Sequence, residues 1–278
     1  MAEPEGLTND SPNRPAAVGV TLGGGAPVDA RLVGFVAAAR AEIDRLFRAA
    51  MGACARSGGG ALRDRYGAGY GELLIDFRTV LAAPDGVVTA TAFAEVMRYY
   101  DAGKVESTIR RAEDRGAVTR DDDGRIRATP AGHAFLDDVY AAQADALGSL
   151  WGGASKAVKR LAAVTGDIVV AASQRPLLRV GAFTAMTPNY EPVETPAAVL
   201  LLNRLSALRY HRSDAHAIAW RSAGMSATEM VAIQESGGPR RDAIEARTNE
   251  IAAAPFQILA EDRRSTFLAD LRSMPVPG

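Results

Sequence analysis

The sequence predicts a mainly α-helical fold with one small β-hairpin set into it. Three observations carry this expectation. Apolar residues recur at helical spacing over long stretches from Val28 onward. Strict alternation is confined to two short runs, 117–120 and 125–128, on either side of Asp121-Asp122-Asp123-Gly124. That is the pattern of a hairpin closed by an Asp-Gly turn. Beyond Trp151-Gly152-Gly153 the chain reads as helical throughout.

Each element has its own local signal. Residues 1–27 carry Pro4, Pro12, Pro15, Pro27 and Gly23-Gly24-Gly25 without helical periodicity, which is the composition of a flexible arm. Leu32, Phe35, Val36, Ala39, Ile43, Leu46, Phe47 and Ala50 then predict a long first helix, ending in Ser57-Gly58-Gly59-Gly60. A second helix is expected over 72–83, stopped by Pro84-Asp85-Gly86. Thr89 or Thr91 can cap a helix carrying Phe93, Val96 and Met97 and running to about residue 100.

Asp101-Ala102-Gly103 breaks that helix, and the next is expected over 104–115, with Val105, Ile109 and Ala112 on one face and Gly116 as its stop. After the hairpin, Thr129-Pro130-Ala131-Gly132 opens another helix, with Pro130 near its first turn. Downstream, the sequence predicts a helix over 155–173 and an irregular stretch over 174–195. A strong helix follows from Thr195-Pro196 to about Ala223, closed by Gly224. The next starts at a Ser226–Glu229 capping box, and two more lie near 240–253 and 261–273. These boundaries divide the chain into the arm (1–27), a first folded unit (28–150) and an all-helical unit (151–278).

Composition excludes several classes. The chain has 47% hydrophobic residues, so it is neither disordered nor membrane-embedded. Lys+Arg number 32 and Asp+Glu 33, a net charge of -1, so any contact with a polyanion must come from a local patch. Cys54 is the only cysteine, which leaves no intrachain disulfide and no thiolate-rich zinc or iron–sulfur site. The first residues lack the basic and apolar regions of a signal peptide, and the longest apolar runs are too short to span a bilayer. A cytoplasmic protein with no membrane contact is expected.

The ordered series of helix, turn, helix, hairpin and helix, with Gly116, Gly124 and Thr129-Pro130-Ala131-Gly132 at its joints, resembles the winged helix-turn-helix of MarR and PadR type regulators. The stretch 105–135 carries the likeness, which covers about residues 70–140. It implies a winged helix-turn-helix with a small β-hairpin wing, joined to an all-helical C-terminal domain. It also implies that the second helix enters the major groove of duplex DNA while the wing touches the backbone. Lys104, Ser107, Thr108, Arg110 and Arg111 then lie on or beside the exposed face of the recognition helix, with Arg125 and Arg127 flanking the wing turn. Arginines there can pair with phosphates or guanine edges. Against this, residues 95–130 hold eight Lys/Arg and eight Asp/Glu, with Asp121-Asp122-Asp123 at the wing tip. Phosphate binding calls for net positive charge.

The strong C-terminal helix gathers Tyr210, His211, Asp214, His216 and Trp220 within eleven residues. The run 208–230 resembles a segment common in actinobacterial helix-turn-helix proteins of unknown function. Polar groups among Leu, Tyr and Trp suit a small-molecule pocket, so these five are the candidate ligand-binding residues. The competing reading is buried polar anchoring, with His211 and Asp214 bonded to each other or to backbone and Trp220 in the core. His211 and His216 diverge by about 140° on a helix and form a poor chelating pair, so no metal is expected. Met186 to Tyr190 could line a cleft but read more simply as a loop. No nucleophile elbow or dinucleotide loop is present, so neither a catalytic residue nor a cofactor is assigned.

The leading expectation is therefore a ligand-responsive transcriptional regulator that binds duplex DNA as a homodimer. The alternatives are a small-molecule-binding protein or enzyme that keeps a degenerate winged helix as scaffold, and a purely structural interaction protein.

Overall fold

A computed structural model describes residues 29–277; the arm expected over 1–27 lies outside them. The described residues are mainly helical, with one two-stranded antiparallel sheet. Among them no helix is long and apolar enough to cross a membrane.

Helix α1 (Ala30–Tyr66) begins at Asp29, whose side chain accepts from the Arg31 amide, and runs 37 residues to Gly67 at φ 86°. The glycine triplet does not stop it, contrary to the sequence expectation. A Cβ on Gly58 would lie 2.6 Å from the Ala142 Cβ, so this part of α1 runs against α6 (Pro130–Trp151) at very close range. Burial against α6 overrides the poor helix propensity of three glycines. The expected helix over 72–83 is instead two short pieces, α2 (Glu72–Asp76) and α3 (Arg78–Leu81), separated by Phe77 at φ -105°, ψ 17°.

Helix α4 (Ala90–Val96) is capped by Thr89, which accepts from the Ala92 amide, and it ends several residues before 100. Helix α5 (Ala102–Asp114) is capped by Asp101 through the Lys104 amide, so the residues expected to break the chain instead begin α5. Gly116 at φ +66° closes it. Strands β1 (Val118–Arg120) and β2 (Ile126–Ala128) pair antiparallel in the register Val118 to Ala128, and Val88 adds a bridge to Ile126. The turn between them is held by Asp121, whose side chain accepts from the Asp123 and Arg125 amides, and by Gly124 at φ +74°.

The motif Thr129-Pro130-Ala131-Gly132 has a specific physical basis. Thr129 accepts from the Gly132 amide and donates to the Gly116 carbonyl, while Pro130 supplies the first helical residue of α6. A Cβ on Gly132 would fall 2.1 Å from the Ala117 carbonyl oxygen, which only glycine tolerates.

The remaining helices are α7 (Ser155–Gln174), α8 (Ala182–Met186), α9 (Ala197–Ser222), α10 (Ala227–Ser236), α11 (Pro239–Ala252) and α12 (Glu261–Ser273). The stretch read as irregular thus contains one short helix, and Met186 is buried in the core instead of lining a cleft. The capping box at Ser226 and Glu229 is formed as expected.

Two apolar clusters result. The larger joins Leu32, Val36, Ile43 and Leu46 of α1 to Leu161, Leu202, Leu205, Ile251 and Phe267 of the C-terminal helices. The smaller gathers Leu74, Phe77, Phe93, Ile109, Ile126, Phe135 and Met186, with Phe77 stacked on Phe93 at 4.8 Å. Helix α6 contributes to both, and Tyr140 packs against both.

Neighbouring glycines of α1 separate the two effects at work. A Cβ on Gly59 would meet nothing within 4 Å, so Gly59→Ala is expected to raise stability by about 0.5–1 kcal/mol. Gly58→Ala is expected to lower it by about 1–3 kcal/mol, because Ala142 must move. Chemical unfolding of the two variants checks this, and a stabilising Gly58→Ala would mean that α1 and α6 do not approach this closely.

Candidate functional site

Three of the residues singled out on α9, Asp214, His216 and Trp220, meet residues of the turn between α4 and α5. Two turn residues point into the body of the protein, while Tyr100 points outward and is 69% exposed. Arg98, its side chain only 5% exposed, reaches Asp214 with Nη2–Oδ1 at 2.6 Å and also pairs with Glu95 at 3.1 Å. Its Nη1 donates to the Ser213 carbonyl at 3.4 Å. Tyr99 takes the neighbouring position. Trp220 Nε1 donates to the Tyr99 hydroxyl at 3.0 Å, and that hydroxyl lies 3.0 Å from His216 Nδ1. With the hydroxyl accepting from Trp220 and donating to His216, the imidazole proton sits on Nε2, which faces Glu245 at 3.7 Å.

Asp214 is 1% exposed and serves two partners at once. Besides Arg98, it accepts from the Ala182 and Phe183 amides at 2.8 and 3.0 Å, and so holds the first turn of α8. A Cβ on Gly181 would lie 2.4 Å from Asp214 Oδ2, so glycine is what lets this backbone come so close. His211 does not bond to Asp214, as the anchoring reading allowed; it is buried with its ring edge-on to Phe183 at 5.5 Å. Burial pushes its pKa down to about 4, so it is neutral in the fold. Burial also lowers His216, with Glu245 opposing. Tyr210 is half-buried and donates to the Asp76 carbonyl at 3.4 Å.

The five α9 residues therefore do not converge on one ligand-sized pocket. His216 and Trp220 grip the α4–α5 turn, while Asp214 and His211 hold α8. His211 borders a cavity of only about 30 Å³, far below the volume of a typical ligand site. A larger concavity of about 400 Å³ lies on the other side of the turn, with Phe93, Met97, Val105, Ile109 and Ile126 in its lining and Glu106 and Arg120 among its polar groups. Among the described residues no group of three or more His, Cys, Asp or Glu could hold a metal ion.

On α5 and the hairpin, Lys104, Ser107, Arg110, Arg111, Arg125 and Arg127 are exposed, while Thr108 is half-buried. The hydroxyls of Ser107 and Thr108 donate to the Lys104 carbonyl. Four of the arginines already have acidic or carbonyl partners. Arg110 pairs with Glu106 at 2.9 Å, Arg111 with Glu72 at 3.1 Å and Arg125 with Asp123 at 2.9 Å; Arg127 reaches the Asp85 carbonyl at 3.4 Å. Hydrogen bonds from Arg120 and Arg110 hold Glu106 down to about 2. The even charge count of this segment is thus an organised lattice of pairs.

Sequence reasoning missed Arg98, Tyr99 and Arg120. The one available signal was Arg98-Tyr99-Tyr100, a cation and two aromatics at the expected end of a helix, just before Asp101-Ala102-Gly103. No family model matches the chain, and neither a curated protein nor a solved structure matches it.

Asp214→Ala would strand two backbone amides in the interior and leave Arg98 only its pair with Glu95, and a loss of about 2–4 kcal/mol is expected in urea unfolding. A loss below about 1 kcal/mol would show that the pair does not anchor the turn. Acid sensitivity follows from His211. Its folded pKa lies below the ordinary 6.5, so the stability tied to the neutral ring is fully present above pH 6.5 and drains as pH falls toward 4. The gap corresponds to about 3 kcal/mol. The unfolding midpoint is expected to fall over that window, and His211→Leu to flatten the decline; an unchanged slope would show that the ring is accessible to protons in the fold.

Proposed function

We propose that the protein is a ligand-responsive transcriptional regulator that binds duplex DNA as a homodimer through a winged helix formed by α4, α5 and the β1–β2 hairpin. The observation that carries this reading is the exposure of Lys104, Ser107, Arg110 and Arg111 on the free face of α5, beside a hairpin exposing Arg125 and Arg127. A helix with such a face next to a hairpin that exposes two arginines suits a major groove flanked by phosphates. The opposing ion pairs lie at the surface, where water screens them and a phosphate oxygen can replace a carboxylate. The socket on α9 supplies the coupling to a ligand. Any molecule that shifts α8 or α9 also shifts the α4–α5 turn, because Asp214 belongs to all three contacts.

A second reading has a specific observation in its favour. With the four arginines at the candidate DNA-facing positions already partnered, the same module can serve as a scaffold or interaction element without nucleic acid.

Gel shifts against the upstream region of its own operon, over a salt series, separate the two. Sequence-selective binding at low salt is expected, with a shallow salt dependence that reflects few net phosphate contacts. Arg110→Ala and Arg111→Ala are each expected to weaken binding by about tenfold or more. Glu106→Gln and Glu72→Gln, which release those arginines, are expected to strengthen it. Absence of any selective shift for the parent and for the two glutamine variants would leave the scaffold reading standing.

A further inference from the structure

Arg78, on α3, presents the most unusual charge in the interior. It is 3% exposed, and of its guanidinium nitrogens only Nη1 has a protein partner, the Ile75 carbonyl at 3.1 Å. Nε and Nη2 are buried with no hydrogen-bond partner among the described residues. The neighbouring carboxylate, Asp76, is exposed and does not pair with it. An ion taken out of water costs several kcal/mol unless an opposite charge accompanies it, and a guanidinium cannot escape by losing its proton.

Among the described residues no carboxylate pairs with it directly, although Asp76 lies near enough for the Arg78 charge to oppose the rise that burial gives its pKa. Arg78's charge reaches the Cys54 thiol and the Tyr140 and Tyr210 hydroxyls, where it opposes the upward push that burial gives their pKa values. Asn203 on α9 is fully buried, its Nδ2 lies 3.5 Å from the Tyr140 hydroxyl, and its Oδ1 has no partner. Rotation of that amide lets Tyr140 donate to the oxygen and leaves the NH2 group free as a donor. This pocket of donors lies at the seam of the two apolar clusters, since Tyr140 packs against both.

We propose that the Arg78 guanidinium is the centre of an internal site for a small monovalent anion, of halide size or a single short carboxylate. Water could satisfy the free N–H groups but would leave in the interior a positive charge that Asp76 offsets only without direct contact. An anion supplies both acceptor and countercharge, with Nε and Nη2 forming the two-pronged donor pair that suits it. The inference does not depend on whether the chain binds DNA.

The test is thermal unfolding in sodium gluconate, whose bulky anion is excluded, with stepwise replacement by chloride, bromide or formate at constant ionic strength. A saturable rise in Tm of about 5 °C is expected for the anions that fit. A response to the halides alone, or to formate alone, identifies which source of the charge occupies the site. Arg78→Met is expected to abolish the rise and, in gluconate, to match or exceed the parent's Tm, because it removes a buried charge that has no direct partner. An equal rise in Arg78→Met, or the same Tm in every salt, would overturn the site. Bromide anomalous scattering from crystals of the unaltered chain decides the question even if Arg78→Met does not fold. Density beside Arg78 Nε and Nη2 is expected, and water alone there would refute the inference.

Discussion

The pairing of Arg98 with Asp214 is the constraint on which the remaining arrangement rests. One carboxylate, almost wholly withdrawn from water, receives a guanidinium from the α4–α5 turn and two amides from the start of α8, while being carried itself by α9. A buried charge of this kind tolerates little displacement, because each partner lost leaves another group unsolvated. The turn, the short helix and the long helix are therefore located by the same atoms. Tyr99, His216 and Trp220 extend the grip with a directional chain of hydrogen bonds one step along the turn. The energetic weight of the contact lies less in what the pair adds than in what breaking it would cost.

This arrangement gives polar groups on α9 a meaning different from a ligand pocket. They are spread around the helix and spent on neighbouring elements, so the small segment of α4, α5 and hairpin is fixed to the body through its turn. Its outer face stays open. There the chemistry is the reverse of the interior: exposed arginines and carboxylates form exchangeable pairs, Glu106 standing between Arg110 and Arg120. Buried pairs determine position, while surface pairs can exchange partners in water. Arg78 stands apart from both classes, a buried cation with no ion pair among the described residues.

The correspondence between sequence and structure follows the range of each signal. Thr89, Thr129 and Ser226 act on amides within three residues, and all three form caps as their sequence patterns indicate. Asp101, expected only to break the chain, caps α5 over the same short range. The Asp121–Gly124 turn is equally local. Errors arose where a distant neighbour outweighed the local preference. Gly58 to Gly60 read as a helix end, yet α6 packs so closely there that helix continues. The segment 72–83 read as one helix, yet it divides at Phe77, a residue fully buried and stacked on Phe93.

By itself, the sequence determined the helical character, the hairpin and most of the capping residues. All of these follow from propensities and hydrogen bonds within a few residues. Only the tertiary structure decided that Arg98 meets Asp214 across 116 positions, that Tyr99 joins His216 and Trp220, and that Arg78 is enclosed with no ion pair among the described residues. A charged side chain looks the same in sequence whether it ends in solvent, in a pair or alone in the interior. Its environment is set by which helices pack around it, and no local pattern encodes that.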